Sequence, residues 1–303
     1  LKAVDLFAGS GGFTIGARLA GVEVLWAANH WPLAVQCHAE NHPDVAHLCQ
    51  DLQQADWTQV PDCDLVLASP CCQGHTDARG KDQPHHDASR ATAWAVVSCC
   101  EIKRPVAFIV ENVPEFLRWS LFPAWRQAME TLGYHLTTAV LDAADVGVPQ
   151  HRERLFIVGS LRGSIRIAPG TSAHVPVREI IGEARWSPIN KRGRAEATLA
   201  RIAAGRERFG RRFVMPYYKS GSGLTGRSLD RPLGTVTTVD RWALVDGDRM
   251  RMLSVEEYRR AMSFPDDYKL PRTKREAVKL LGNAVPPRLA CHVIQQTIEG
   301  LAA

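Results

Sequence analysis

Long apolar runs are missing from this sequence. No stretch of the 303 residues approaches the ~18 consecutive apolar positions that a membrane helix needs. No basic leader with an apolar centre precedes the first strand-like run at Lys2. A soluble, cytoplasmic protein without a membrane partner is therefore expected, one that begins close to its first strand with only a few native residues ahead of it. Spaced cysteines are missing too. Four of the eight cysteines form the adjacent pairs Cys71-Cys72 and Cys99-Cys100, unlike the framework of a secreted disulfide scaffold, so reduced thiols are expected. The absence of Cys-x-x-Cys spacing also argues against zinc on Cys71, Cys72, His75, His85 and His86, and no metal is expected. There is no internal repeat and no low-complexity tract.

What is present is an ordinary globular composition, 45% hydrophobic and 23% charged, in a chain long enough for about two domains. The net charge of +5 is unevenly spread. Residues 160–230 carry 14 Lys and Arg against 5 Asp and Glu, a local +9 that leaves −4 for the rest. A basic insert on a near-neutral body suits a phosphate-backbone ligand, although a solvated Arg-rich surface would look the same.

Over the first 160 residues, β-branched and apolar runs alternate with helical stretches, as in βαβ units that build a mostly parallel sheet. Strands are expected at Lys2–Phe7, Glu23–Ala28, Leu65–Ala68, Ala107–Val110, Thr138–Leu141 and Arg154–Gly159. Helices are expected near Thr14–Ala20, Pro32–Asn41, Arg90–Cys100 and Pro123–Leu132. From Ser160 to about Asp230 the pattern dissolves into Gly-, Arg- and Pro-containing sequence, which predicts loops and a small lobe. Ser254 followed by Glu257 reads as a capping box, and Pro287–Leu301 as a final helix that folds back on the first domain.

Four motifs fall at predicted strand ends, where open α/β sheets bind ligands. Asp5-Leu6-Phe7-Ala8-Gly9-Ser10-Gly11-Gly12 is a Gly-rich strand-to-helix turn that lets a ligand approach the backbone. It lacks Gly-x-Gly-x-x-Gly spacing and any Gly-Lys-Ser/Thr, which weighs against a dehydrogenase or a P-loop enzyme. Ala68-Ser69-Pro70-Cys71-Cys72-Gln73-Gly74 puts cysteines on a turn where one can serve as a nucleophile, or where both simply fill space. Ala107 to Pro114 ends an apolar strand in Glu111-Asn112, a surface acid or a buried one able to donate a proton. Gln150-His151-Arg152-Glu153-Arg154 enters the next strand with Arg152 and Arg154 on one face, suited to an anionic or carbonyl-rich ligand or to ion pairing.

In this order and at this spacing, the motifs resemble the DNA (cytosine-5) methyltransferase family of bacterial and phage type. Two later segments agree: Arg231-Pro232-Leu233-Gly234-Thr235-Val236, and Gly282-Asn283-Ala284-Val285 before Pro286. The resemblance covers nearly the whole chain. It implies an α/β, Rossmann-like S-adenosylmethionine-dependent methyltransferase fold with a mixed, mostly parallel sheet, plus a small irregular target-recognition domain. Residues 1–160 and 272–303 would form the catalytic domain and 161–271 the target-recognition domain.

By the same resemblance, S-adenosylmethionine, leaving as S-adenosylhomocysteine, would lie against Phe7, Ala8, Gly9, Ser10, Gly11 and Gly12. Asn29, His30, Trp31, Asp51, Leu52, Asn283, Ala284 and Val285 would complete its pocket. His30 stands where the family usually has Glu, so an imidazole takes over the position that binds the ribose. Aligning on Gln73-Gly74 makes Cys72 the nucleophile, and a rival register would make it Cys71. Glu111, Arg152 and Arg154 are the other expected catalytic residues, with Arg152 supporting the cysteine loop or the cytosine carbonyl. Gln73, Asn112, Gln150, Arg231 and Thr235 are the expected nucleic-acid contacts. Double-stranded DNA would be the substrate, a cognate restriction endonuclease the genetic partner, and a monomer associated with the nucleoid the working form. Two alternatives stay within the family, methylation of transfer RNA and a catalytically silent DNA-binding relative. A third is an unrelated Cys-dependent acyl-transfer enzyme with His75 as its base, an account that leaves Gly282–Val285 without a role.

Overall fold

The computed structural model describes residues 1–71, 91–217 and 226–303. The larger sheet consists of β1 (Lys2–Leu6), β2 (Glu23–Asn29), β3 (Ala46–Cys49), β4 (Leu65–Ala68), β5 (Ala107–Asn112), β6 (His135–Asp142) and β7 (Glu153–Ser160), in the order β3-β2-β1-β4-β5-β7-β6. Neighbours run parallel except β7, which is antiparallel to both β5 and β6. The described helices are α1 (Gly12–Leu19), α2 (Pro32–Asn41), α3 (Trp94–Lys103), α4 (Phe122–Thr131), α5 (Glu196–Phe209), α6 (Val255–Ala261), α7 (Lys274–Asn283) and α8 (Pro287–Ala302).

Period-two alternation sorts the strand side chains between two cores. Ala3, Leu65, Leu67, Ala107 and Ile109 pack with Phe13 and Ala17 of α1 and Leu289 and Val293 of α8. Val4, Leu6, Val66, Phe108 and Val110 pack on the opposite face with Val96 of α3 and Trp125 and Met129 of α4. Every residue of β4 and β5 is buried, the condition of a parallel sheet covered on both faces. The sheet is thus doubly wound and Rossmann-like. β1 pairs with β2 on one side and β4 on the other, and this switch point opens a crevice beyond the strands' carboxyl ends.

Six of the seven strands stand where the alternation placed them. β3 carried no sequence signal because it is a short edge strand, His47 half-buried and Ala46, Leu48 and Cys49 exposed. The chain also stays with the first core beyond Ser160, since Ile165 and Ile167 belong to the cluster around α8.

The stretch expected to be irregular holds the 14-residue α5 and part of a second, antiparallel sheet. That sheet comprises β8 (Ser187–Pro188), β9 (Arg212–Pro216), β10 (Arg227–Ser228), β11 (Trp242–Asp246) and β12 (Arg249–Met252), in the order β10-β9-β11-β12-β8. α5 escaped the sequence reading because it is Arg-rich and carries Gly205. That glycine lets the helix lie on Phe213, whose ring atoms would come within 2.2 Å of an added Cβ. On the sheet's other face, Val214 and Leu244 pack in one cluster with Tyr258 of α6, Leu280 of α7, Ile15 of α1 and Ala34 of α2. The Ser254–Glu257 capping box is present at the start of α6.

Candidate active site

The turn after β1 is tight. Phe7, Gly9 and Gly11 all have positive φ, and Gly12 begins α1 against the Val285 backbone. Phe7 and Gly9 line the crevice, whereas Ser10, Gly11 and Gly12 are buried behind it.

Beneath the turn lies a buried polar network. Thr14 Oγ1 donates to Asp5 Oδ2 at 2.8 Å and lies 3.0 Å from His38 Nε2, while His38 Nδ1 lies 2.7 Å from His47 Nε2. The His42 ring lies 4.7 Å from that of His38, tilted 55° to it. Burial sets the titration of these groups. It lowers His38, with His42 and His47 adding to the effect; it lowers His42 to about 4, with Arg18 adding; and it lowers His47. Burial also raises Asp5 to about 7, against the Thr14 hydrogen bonds.

The signs of these contributions differ. A histidine lowered in the folded state supplies stability that is present above its unfolded pKa of about 6.5 and is lost as pH falls below it. Asp5 works in the other direction, because the folded state keeps a proton that the unfolded chain releases between pH ~4 and pH ~7. The lowered histidines of this network outnumber its one raised carboxyl, so its net contribution to stability is expected to fall as pH drops from about 6.5 towards 4. Urea midpoints measured at pH 7 and pH 5 should show this fall, and the double variant His38→Gln, His42→Gln should lack most of it. Equal slopes in the two proteins would refute the account.

The crevice itself is a cavity of about 270 Å³. Its outer end is walled by Phe7, Gly9, Asn29, His30, Trp31, Lys279, Leu280 and Asn283. Asn29 Oδ1 accepts from the Trp31 N–H at 2.9 Å and so fixes the start of α2, and Lys279 Nζ sits 4.3 Å over the Trp31 indole. Lys279 was missed in the sequence. Its only signal is its place three residues before Gly282, on the same helical face. Asp51 caps a 3₁₀ turn by accepting from Gln53 N, Leu52 is core, and Ala284 and Val285 are buried; none of these four, nor Ala8, forms part of the wall.

The inner end is walled by Ser69, Pro70, Cys71, Thr92, Glu111, Val113, Arg152 and Arg154. Cys72 and Gln73 lie outside the described residues, which reach Cys71. Glu111 near the end of β5 and Arg154 at the start of β7 are diagonal neighbours across the antiparallel ladder, with Glu111 paired to Phe156. Arg154 Nε lies 2.9 Å from Glu111 Oε1. Burial raises the Glu111 pKa despite the opposing charges of Arg154 and Arg152 and a hydrogen bond from Ser69. The site therefore holds a carboxyl that takes a proton readily beside a fixed cation.

Arg152 lines the cavity but is 1% exposed and donates to three carbonyls, Val236 O at 2.8 Å, Gly282 O at 2.7 Å and Ala284 O at 3.1 Å. These bonds tie the pocket-closing turn to the Thr235–Val236 segment, beside the cavity wall that Arg152 itself helps to form. Asn112 and Gln150, expected as nucleic-acid contacts, are buried in this structure. Asn112 is buried and donates to Pro70 O, bracing the start of the cysteine turn. Gln150 is wholly buried, donating to Ala261 O and accepting from Val236 N at 2.6 Å, so its amide is spent on the protein's own backbone.

Comparison with known proteins decides what this arrangement belongs to. The sequence profile of the C-5 cytosine-specific DNA methylases matches residues 1–185 and 186–299. The chain belongs to that family. It is 29% identical over 308 residues to the type II methyltransferase M.HgiDI of Herpetosiphon aurantiacus, covering 96% of this chain and 92% of that one. It is 34% identical over 187 residues to M.AgeI of Thalassovita gelatinovora, a match that spans 58% of this chain and 43% of that longer protein. Among solved structures, S. pombe Dnmt2 methyltransferase superposes with a TM-score of 0.72 at 17% identity over 100% of both chains. Entamoeba histolytica methyltransferase EhMeth does so with a TM-score of 0.72 at 14% identity over 99% and 98%. The fold is that of the S-adenosylmethionine-dependent methyltransferases, and the family carries DNA cytosine-5 methyltransferase activity.

In this family member, part of the basic charge of the second lobe is internally neutralised. Arg211, Arg212 and Arg249 surround Asp246, Arg206 pairs with Asp248, and Arg178 with Asp230. Arg231 and Thr235 are exposed on the segment beside Gln150, with the Thr235 hydroxyl donating to His151 O. No described helix is long and apolar enough to cross a membrane.

Proposed function

We propose that the chain methylates carbon 5 of a cytosine flipped out of duplex DNA, using S-adenosylmethionine and a covalent adduct on Cys72. One observation carries this reading: a single cavity joins a wall of Trp31, Asn29, Gly9 and Asn283 to the Glu111–Arg154 pair and the turn that leads into Cys72. The outer end fits the cofactor. It offers an indole face for a purine, polar groups on Asn29, His30 and Asn283, and a glycine at positive φ where a side chain would intrude. When bound, S-adenosylmethionine supplies an electrophilic methyl group.

The chain's own residues do the rest. Carbon 5 of cytosine is a weak nucleophile, so the Cys72 thiolate adds to carbon 6 and moves electron density to carbon 5. Glu111 donates its proton to ring nitrogen 3, which offsets the charge that develops there, and Arg154 holds the carbonyl oxygen. After methylation, a water molecule in the site takes the carbon 5 proton, the bond from carbon 6 to sulfur breaks and restores the Cys72 thiolate, and ring nitrogen 3 returns its proton to Glu111. A stacked base cannot reach this depth, so it is flipped at a cost of a few kcal/mol. The recognition lobe lies within residues 161–271, beyond the Ile165 and Ile167 that pack with the first core; there Arg231 and Thr235 face the substrate, the protein acts as a monomer, and a cognate endonuclease is the genetic partner.

The test incubates the protein with tritiated S-adenosylmethionine and either plasmid DNA or transfer RNA, beside Cys72→Ala and Cys71→Ala, and sequences labelled DNA after bisulfite conversion. Label in DNA cytosines that vanishes with Cys72→Ala and persists with Cys71→Ala is expected. Label confined to transfer RNA, or loss with Cys71→Ala alone, would overturn the substrate or the nucleophile respectively.

A further inference from the structure

The turn between β1 and α1 is strained. Phe7, Gly9 and Gly11 have φ of 59°, 55° and 82°, and a non-glycine residue such as Phe7 keeps a positive φ only where its surroundings over-determine it. The near side is fixed by backbone bonds, Ala8 N–H to Ala28 O at 3.0 Å and Gly11 N–H to Ala8 O at 2.9 Å. From beneath, the Tyr268 hydroxyl donates to the Ser10 carbonyl. Tyr268 comes from the segment between α6 and α7, 258 residues along the chain. It is 6% exposed, with its ring against Phe264 at 5.0 Å and His42 at 5.9 Å, and it belongs to the core cluster shared with the second sheet. An added Cβ at Gly11 would lie 2.7 Å from the Tyr268 hydroxyl, so ring and turn are in contact. Tyr268 forms no part of the cavity wall.

We propose that Tyr268 is a positioning residue for the cofactor. Its hydroxyl holds the Ser10 carbonyl, and through it the amides that open α1, in the conformation the cofactor requires. The second lobe's core thereby helps to set the shape of the cofactor turn. This inference rests on reading the cavity as the S-adenosylmethionine site.

Tyr268→Phe keeps the ring packing and removes only the hydroxyl. Tyr258→Phe is the control, because that hydroxyl bonds Asp240 and accepts from Trp242 N, remote from the turn. S-adenosylhomocysteine affinity is measured by calorimetry on the folded proteins, with hydrogen exchange of the Ser10 to Ile15 amides as a second readout. Tyr268→Phe should weaken binding about tenfold, the worth of one well-made buried hydrogen bond, and speed exchange in the turn. Tyr258→Phe should lower the urea midpoint and leave affinity within about twofold of wild type, a difference too small to count as a lost hydrogen bond. Unchanged affinity in Tyr268→Phe, or an equal loss in both variants, would overturn the positioning role. Failure of the wild type to bind S-adenosylhomocysteine would instead overturn the cofactor reading, and the positioning role with it.

Discussion

Glu111→Gln is expected to slow methyl transfer by about 10²- to 10⁴-fold while leaving S-adenosylhomocysteine affinity near the wild-type value. The amide matches the carboxyl in shape and can still sit against Arg154, but it has no proton to give. The carboxyl is suited to the task by its position. It occupies a wholly buried strand and faces the cavity from beside Arg154, and burial pulls its pKa upward against the two guanidiniums. The folded protein therefore keeps a proton on Glu111 at pH values where the unfolded chain has lost it. That contribution to stability is complete below the unfolded pKa of about 4.5 and declines as pH rises through the raised folded value. Glu111→Gln should remove this dependence as well as the activity. Single-turnover rates and urea midpoints across pH 5 to 8 would check both. A variant that retains more than about a tenth of the wild-type rate would sink the proton-donor role, because general acid catalysis is worth far more than tenfold.

Gly12→Ala is expected to be the most damaging substitution outside the reaction end. A Cβ there would lie 2.0 Å from the Val285 carbonyl oxygen and 3.0 Å from its carbon, both backbone atoms that cannot turn aside. One helical turn later, a Cβ on Gly16 would lie 2.5 Å from the Ala290 Cβ and 2.8 Å from Cys291 N. The two glycines form the face on which α1 meets α8, so Gly12→Ala forces the helices apart or tilts the Asn283–Val285 turn away from the cavity. A loss of about 3 kcal/mol or more is expected, with S-adenosylhomocysteine binding too weak to measure by calorimetry. Gly182→Ala, where the nearest atom to an added Cβ is the flexible Arg260 guanidinium at 3.4 Å, should be nearly silent. Wild-type affinity in Gly12→Ala would mean that this closure does not shape the cofactor end.

The linear sequence determined the elements whose signals are local. Short continuous apolar runs marked β1, β2, β4, β5 and β7 because both faces of those strands are largely buried, and the Ser254–Glu257 box marked α6 because capping is settled within four residues. The same logic placed Glu111 and Arg154 at strand ends beside the crevice. β3 escaped because it is a short exposed edge strand, and the 14-residue α5 because its arginines and Gly205 obscure the apolar period.

Tertiary structure alone decided what the polar residues do. Asn112 and Gln150 look like ligand contacts in sequence, yet both amides bond the protein's own backbone, and Arg152 joins Val236 to the Gly282–Ala284 turn. Lys279 over Trp31 and Tyr268 under Ser10 are meetings between residues 248 and 258 positions apart. Hydrophobic period and cap chemistry act over a few residues and can be read from the chain. The partner of a buried polar group depends on which distant backbone the fold brings within 3 Å, and that is fixed only when the cores close.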